Sequence, residues 1–367
     1  MTLIDLFASS TSSLEDLIFM VIKYISMKEI KSTKKVSIFN KLLIKICRIF
    51  GYELIDQSSL QFPVSNKSYE DQINIPGEKS FTLGLGQIKI TRKVKSLDIL
   101  IKSCTKVQLV SQNKKRIFEN EKSEYTLRSI KSLIKSAIEL KKNYNEIEIK
   151  FTVIDVNSSK NNLEKIKSLM EGSNFRFTII NIDVEKAKKD SLTLDKNNKE
   201  IENNMATTMA SIRKSFSIAR ESNDLIYFVE DDYIHNLDAL TEMILSYERF
   251  SSILEKEIFL LSTDYPYLYK KIEKSNIYIG NKYHWRTVNE SLLTFMTSQK
   301  MIEKYYGGLM EMATTESNPF EKNLHKIYEE ELCLSPIPSL SIHCTNVNSV
   351  FGLSPNINVK KLWDNAK

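Results

Sequence analysis

The chain has 367 residues, of which 42% are hydrophobic and 27% charged, so it is long enough and apolar enough to bury a core. The net charge of +6 is small for this length, and no dense Lys/Arg run or aromatic-basic pattern points to a nucleic-acid partner. The four cysteines are scattered without a C-x-x-C pair, which argues against a zinc knuckle or a disulfide framework and favours a cytoplasmic protein with reduced thiols.

Residues 1–90 are predicted to form a mainly helical extension and linker. Helical periodicity covers residues 13–27 and 38–50, and Gly51 is a natural helix stop. Between Leu17 and Phe50 isoleucines and leucines mix with lysines, which suits peripheral contact with an anionic membrane at its inner face. The alternative is that these helices pack on the main domain with their lysines solvated. No segment approaches the roughly 18 apolar residues of a membrane span, and the N-terminus lacks a signal-peptide pattern.

Residues 91–367 are predicted to form one domain in which strands and helices alternate. Apolar runs or alternating patterns predict strands at residues 97–101, 147–154, 175–182, 225–229, 258–261 and 291–296. Apolar residues at helical spacing predict one helix capped by Ser123, one that starts at Asn162, one that starts near Met205 and one capped by Asn236. This alternation predicts an α/β fold with a mixed, mostly parallel sheet flanked by helices.

Acidic residues follow several of the predicted strands. Asp155 ends the second strand, Glu230-Asp231-Asp232 follows the fourth, and Asp264 follows the fifth. In such sheets the ligand lies beyond the carboxyl ends of the strands, so these acids are predicted to converge on one site. Three successive carboxylates repel one another unless a cation shares the site. A Mn²⁺ or Mg²⁺ ion would suit them and would stabilise the charge on a departing diphosphate.

The run Tyr227-Phe228-Val229-Glu230-Asp231-Asp232-Tyr233-Ile234-His235 resembles the strand and DXD-type motif of GT-A glycosyltransferases, in the E-D-D form. The segment from Leu127 to Asn157 is similar to the opening of bacterial family-two glycosyltransferases, and the whole chain resembles a group of uncharacterised bacterial glycosyltransferases. The resemblance covers about residues 95–345. It implies a GT-A fold and a nucleotide-sugar donor, with a UDP-sugar favoured.

The resemblance also implies roles for single residues. It places Asp232 and His343 as metal ligands and Asp231 at the donor ribose or a metal-bound water. It implies that the donor is contacted by a further set of residues, namely Glu230, Asp155, Lys102 and Ser103. The second strand ends in one acid followed by Val156-Asn157-Ser158, where the family has two acids, which leaves the nucleotide open.

Other residues are weaker candidates, each with a structural alternative. Asp264 is a candidate catalytic base or a turn cap before Pro266, and Glu316 is a second candidate base. Arg213 reaches the diphosphate or is solvated. In His284-Trp285-Arg286 the tryptophan stacks on a sugar and the arginine binds phosphate, or the tryptophan is half-buried beside a salt bridge.

The sequence thus predicts a metal-dependent glycosyltransferase of hexosyl or N-acetylhexosaminyl type. Its acceptor would be a saccharide or a lipid-linked group, as in surface polysaccharide synthesis. One alternative is a GT-A-like protein that binds nucleotide without catalysis. Another is a sugar nucleotidyltransferase, although Lys102-Ser103-Cys104-Thr105 stands where that class has a glycine-rich loop.

Overall fold

The computed structural model describes eight stretches of the chain, namely residues 38–52, 89–105, 118, 121–183, 203–270, 274–315, 319–344 and 356–367. The chain divides into two compact units, the first drawn mostly from residues 1–87 and the second mostly from residues 88–367. Across the described stretches, no helix has the length and apolar content to cross a membrane. The predicted extent of the two domains stays a prediction.

The first unit contributes one described helix, α1 (Ile38–Ile49). It ends before Gly51, whose φ of 81° is the left-handed conformation that glycine adopts without a steric cost. The predicted helix at residues 13–27 lies outside the described residues.

The second unit contains a nine-stranded sheet, a two-stranded sheet and flanking helices. The strands are β1 (Ser96–Ser103), β2 (Glu148–Val156), β3 (Arg176–Ile182), β4 (Leu225–Glu230), β5 (Tyr233–His235), β6 (Phe259–Leu261), β7 (Ile277–Ile279), β8 (His284–Thr287), β9 (Phe295–Ser298), β10 (Cys333–Ile337) and β11 (Ser341–His343). The helices are α2 (Lys122–Asn143), α3 (Lys160–Glu171), α4 (Asn203–Arg220), α5 (Ala239–Leu254), α6 (Gln299–Met312), α7 (Lys322–Glu330) and α8 (Val359–Asn365).

The large sheet has the strand order β3-β2-β1-β4-β9-β6-β10-β8-β7. Strands β3, β2, β1 and β4 pair in parallel, and β6 pairs in parallel with β10. Strands β9 and β8 run opposite to their neighbours. The predicted mixed, mostly parallel sheet flanked by helices is therefore confirmed. Because β4 lies in the middle of the sheet, every residue from Leu225 to Val229 is buried, as its uniformly apolar sequence predicts.

Helix α2 begins at Lys122 with Glu121 at the cap position, so Ser123 lies inside the helix and the prediction that it caps α2 is wrong. The earlier start matters because residues four apart lie on the same face of a helix. It places Lys122 and Thr126 one above the other at the amino-terminal end of α2.

The small sheet pairs β11 with β5 in antiparallel register, with His343 opposite Tyr233. The Cys344 amide donates to the Asp232 carbonyl at 2.8 Å, which extends this pairing back to the end of β4. A residue late in the chain, His343, is thereby held beside the acidic residues that follow β4.

Candidate active site

The polar residues at the carboxyl ends of three neighbouring strands lie side by side. Ser103 of β1 is in register with Asp155 of β2, and Lys102 of β1 with Glu230 of β4. Asp231 and Asp232 follow directly and are each only 6% exposed. The parallel register of β2, β1 and β4 therefore brings these side chains to one edge of the sheet, as the strand pattern predicts.

Strand alternation separates two polar pairs onto opposite faces of this edge. On one face the Ser103 hydroxyl donates to the Asp155 carboxylate, which also accepts from the Ser158 amide at 3.2 Å. On the other face Lys102 Nζ lies 3.4 Å from Glu230 Oε1, with both side chains about one-fifth exposed. Asp155 is thus a buried, hydrogen-bonded acid, and the Lys102–Glu230 pair remains accessible at the mouth of the site.

Asp231 is held by three donors. Lys122 Nζ lies 2.5 Å from Asp231 Oδ1, while Thr126 Oγ1 and the Cys104 amide donate to Oδ2 at 2.8 and 3.0 Å. Lys122 also lies 3.8 Å from Asp232. Burial disfavours the ammonium, but the charges of Asp231 and Asp232 outweigh it and raise the pKa of Lys122. The lysine therefore stays charged and offsets part of the acidic cluster.

Asp232 faces His343. A hydrogen bond of 3.0 Å joins His343 Nε2 to Asp232 Oδ2, and the imidazole stacks on the Tyr233 ring with centroids 4.6 Å apart. Tyr233 is fixed in turn by a 2.8 Å hydrogen bond between its hydroxyl and that of Tyr265. Burial disfavours the imidazolium, but the Asp232 charge and hydrogen bond prevail and raise the pKa of His343.

Asp232 and His343 are the residues that the resemblance implies as metal ligands. Among the residues that the structure describes, no cluster of three His, Cys, Asp or Glu side chains has a metal-binding arrangement. Asp232 and His343 supply a carboxylate oxygen and an imidazole nitrogen in direct contact. Mg²⁺ commonly takes one or two protein carboxylates and completes its shell with substrate phosphates and water. The Asp232 carboxylate fits that mode, in which the donor diphosphate brings the remaining oxygens, and the metal-ligand role of Asp232 and His343 stays a prediction.

Glu321 is a polar residue of this region that the sequence does not single out. It precedes α7 at the cap position, yet its side chain does not cap that helix. Burial, followed by the nearby charge of Glu230, raises its pKa to about 7, and Lys102 and His343 counteract the rise. Glu321 therefore lies within electrostatic reach of residues at the ends of β1, β4 and β11. The predicted candidate Glu316 lies outside the described residues.

Asp264 and Arg286 form a buried ion pair. Arg286 donates from Nη2 and Nε to Asp264 Oδ1 at 2.8 and 3.1 Å, and its guanidinium lies over the Tyr269 ring. The Tyr269 hydroxyl donates to the other Asp264 oxygen. Both oxygens of Asp264 thus have donors, and Arg286 is oriented towards Asp264. This geometry does not favour Asp264 as a base or Arg286 as a phosphate ligand.

Trp285 is fully buried, and its Nε1 donates to Glu242 at 3.2 Å. A Cβ on Gly280 would lie 2.3 Å from that nitrogen, so a glycine is needed where the backbone passes the ring. The ring has no face open to a sugar, and the expected stacking role does not fit this packing. The neighbouring His284 is exposed on β8.

Arg213 is a partly buried residue of α4. The adjacent Ile212 lines a shallow groove with Phe216, Phe228 and Phe295, and Lys102 and Glu230 also line this groove. Helix α4 therefore borders the site, and a role for Arg213 stays a prediction.

No family model matches the chain, and no curated protein matches it. Among solved structures it is similar to galactosyltransferase LgtC in complex with donor and acceptor sugar analogs, with 14% identity over 62% of this chain and 70% of that one and a TM-score of 0.32. S. aureus TarS gives 7% identity over 69% and 61% of the two chains with a TM-score of 0.40. Mouse xyloside xylosyltransferase 1 gives 9% over 64% and 76% with a TM-score of 0.31. These likenesses are distant, and the strand order and strand directions of the large sheet define the fold.

Proposed function

We propose that this chain is a GT-A-type glycosyltransferase that moves a sugar from a nucleoside diphosphate sugar to an acceptor hydroxyl. The observation that carries the proposal is the convergence of Asp155, Asp231, Asp232 and His343 at the carboxyl ends of β2, β4 and β11. Such an edge is where α/β sheets bind their ligands, and this one combines buried carboxylates with a fixed lysine and an imidazole. The arrangement suits a ligand that carries both a nucleoside and a diphosphate.

Each group has a proposed part in donor binding. Asp155, held by Ser103, accepts hydrogen bonds from the nucleoside, and Asp231 orients the ribose while Lys122 fixes its carboxylate. Asp232 and His343 hold a divalent cation, which when bound supplies positive charge to the departing diphosphate. Lys102 and Glu230 form the accessible side of the site, which the transferred sugar and the acceptor approach.

Glu321 is the residue that we propose as the general base. The acceptor hydroxyl gives its proton to a Glu321 carboxylate oxygen, and the acceptor oxygen forms a bond to the anomeric carbon. The bond from that carbon to the phosphate oxygen breaks, and the nucleoside diphosphate leaves with the electron pair. A carboxyl whose pKa is about 7 suits this task, because about half of it is ionised at pH 7 and the carboxylate is a stronger proton acceptor than an ordinary glutamate.

Hydrolysis of nucleotide sugars tests the proposal, because water can replace the acceptor. Purified protein is incubated with UDP-, GDP- and CDP-sugars and Mn²⁺, and the released nucleotide is quantified. We expect turnover with one nucleotide family, with UDP favoured, and its loss in Asp232→Asn. Asp364→Asn removes an exposed carboxylate on α8, so it is the matched control and should retain turnover. Release at equal rates by wild type and Asp232→Asn would overturn the proposed role of this site.

A second candidate, nucleotide binding without turnover, is favoured by one observation. Lys122 already places an ammonium beside Asp231 and Asp232, so the cluster has a cation of its own. In this case the bound nucleotide stabilises the folded chain against unfolding, but the chain releases no free nucleotide from any donor. The two readouts, thermal shift and release, separate the candidates.

Several finer features belong to the same proposal. The sugar is of hexosyl or N-acetylhexosaminyl type, and the acceptor is a saccharide or a lipid-linked group in surface polysaccharide synthesis. The enzyme acts in the cytoplasm. Transfer assays with lipid-linked and free saccharide acceptors, followed by mass spectrometry of the products, test these features directly.

A further inference from the structure

Helix α1 and the residues that follow it concentrate exposed apolar surface. Seven of the large apolar side chains that are exposed within the described residues lie in this short stretch, namely Ile38, Phe39, Leu43, Ile46, Ile49, Phe50 and Tyr52. Exposed apolar residues scattered singly are normal, but a contiguous set of this kind marks a surface that contacts something apolar.

Four apolar residues of α1 share one face. Ile38, Leu42, Ile46 and Ile49 follow the spacing of three and four residues that keeps side chains on one side of a helix. Lys45 and Arg48 lie on the flank of that side, and the sequence from 38 to 50 contains no acidic residue. The helix therefore combines an apolar face with a purely cationic border.

The charge of the surrounding chain distinguishes between a lipid surface and a protein partner. Between Leu17 and Phe50 the sequence contains eight lysine or arginine residues and one acidic residue, Glu29. A second copy of the chain would bring a second set of the same positive charges to the interface, which repel one another. An anionic lipid surface attracts every one of these charges and accepts the apolar face into its interior.

We propose that α1 lies in the plane of an anionic membrane surface, with Ile46, Ile49 and Phe50 inserted below the headgroups and Lys45 and Arg48 facing them. Insertion of an interfacial helix needs an apolar face of modest length and a basic flank, and α1 has both. This proposal does not depend on the proposed glycosyl transfer, because its test measures only lipid binding.

Flotation of the full chain with vesicles tests the proposal. One set of vesicles contains only phosphatidylcholine and a second adds phosphatidylglycerol. We expect stronger binding to the anionic vesicles than to the neutral ones. Binding to the anionic vesicles should fall when the ionic strength is raised from about 0.1 M to about 1 M, because the Debye length shrinks from about 10 Å to about 3 Å.

Two glutamate substitutions identify the helix as the contact. Ile49→Glu replaces a side chain that is 64% exposed on α1, and Ile277→Glu replaces one that is 57% exposed on β7. We expect Ile49→Glu to weaken vesicle binding roughly tenfold or more, because an inserted isoleucine is lost, and Ile277→Glu to bind as wild type. Arg48→Glu is expected to weaken binding to anionic vesicles while leaving the weak binding to neutral ones unchanged.

Three results would overturn the proposal. The first is that neither vesicle type binds the full chain. The second is that Ile277→Glu weakens binding as much as Ile49→Glu. The third is a dimer in lipid-free solution that Ile49→Glu converts to a monomer, which identifies a second copy as the occupant of this face. Circular dichroism of each variant confirms that it is folded before its binding is measured.

Discussion

Replacing Glu321 with glutamine separates the stability of the site from its chemistry. Burial and the charge of Glu230 raise the pKa of Glu321 from an ordinary 4.5 to about 7. Each pKa unit corresponds to about 1.4 kcal/mol, so ionising this carboxyl above pH 7 costs the folded state up to about 3 kcal/mol. Glutamine has a similar shape and no charge, and the cost disappears in the variant.

The sign of the pH dependence follows from the folded state holding the proton more tightly than the unfolded chain does. Below about pH 4 the carboxyl is protonated in both states, so wild type and Glu321→Gln should differ little through this charge. As the pH rises through about 7 the wild type loses stability that the variant keeps. At pH 8 we expect the variant to have the higher free energy of unfolding, by up to about 3 kcal/mol.

Urea unfolding at pH 4, 6 and 8 in the presence of EDTA measures this difference. Glu329→Gln, at an exposed position on α7, is the matched control and should show no comparable pH-dependent gain. A Glu321→Gln difference that is the same at pH 4 and pH 8, or that is destabilising at pH 8, refutes the reasoning. In the hydrolysis assay the same variant should leave donor binding intact, and in transfer to an acceptor it should lower kcat more than it changes KM.

Three further substitutions test the packing around the site. Lys122→Met leaves the Asp231 carboxylate without its ammonium, so it should lower the free energy of unfolding at pH 7 by about 3–5 kcal/mol, with part recovered by added Mn²⁺; a loss unaffected by acidification would contradict this. Arg286→Met leaves the buried Asp264 side chain without its guanidinium partner, at a similar cost of about 3–5 kcal/mol, and adding Asp264→Asn should restore much of it in urea unfolding. Trp363→Ala removes a ring that stacks on Phe118 with centroids 4.1 Å apart, so it should lower the free energy of unfolding by about 3–5 kcal/mol. It should also reduce the further loss of stability that Lys122→Met causes. A urea midpoint equal to that of wild type would contradict this packing.

The expected effect of Trp363 reaches the site because α2 connects them. Arg128 of α2 donates to the Trp363 carbonyl at 2.5 Å and places its guanidinium over the indole ring, and Tyr125 packs on the same ring. Lys122 and Thr126 belong to the same end of the helix and contact Asp231. Loosening α8 therefore frees the end of α2 that holds the acidic cluster.

The sheet and its carboxyl-end acids could be predicted because their signals are local. The run from Leu225 to Val229 is uniformly apolar, as a central strand must be, and the acids follow it immediately in the chain. Asp155 is found in the same way, at the end of an alternating strand. Parallel strands place such ends together whatever the details of packing.

Lys122 and Glu321 could not be found in this way, because what marks them is contact with distant residues. Lys122 meets Asp231 across 109 positions, and only the true start of α2 puts it on the same face as Thr126. Glu321 stands between a proline-containing loop and a helix, where a glutamate reads as an ordinary cap.

The burial of Trp285 depends on distant residues in the same way. Its neighbours His284 and Arg286 are polar, which suggests a strand open to solvent. Strand alternation turns the indole inward, towards Glu242, and Arg286 is buried by its ion pair with Asp264 rather than exposed. The sequence shows which residues are polar, but the partner that permits their burial is more than twenty positions away.

The most direct test of the account is titration calorimetry of UDP, GDP and CDP into wild type and Asp232→Asn, each with and without Mn²⁺. If Asp232 and His343 hold a cation for a donor diphosphate, one nucleotide binds wild type more tightly when Mn²⁺ is present, and Asp232→Asn loses that dependence. Binding of every nucleotide with the same affinity in both proteins, whether or not Mn²⁺ is present, would contradict the assignment of this sheet edge as a metal-dependent donor site.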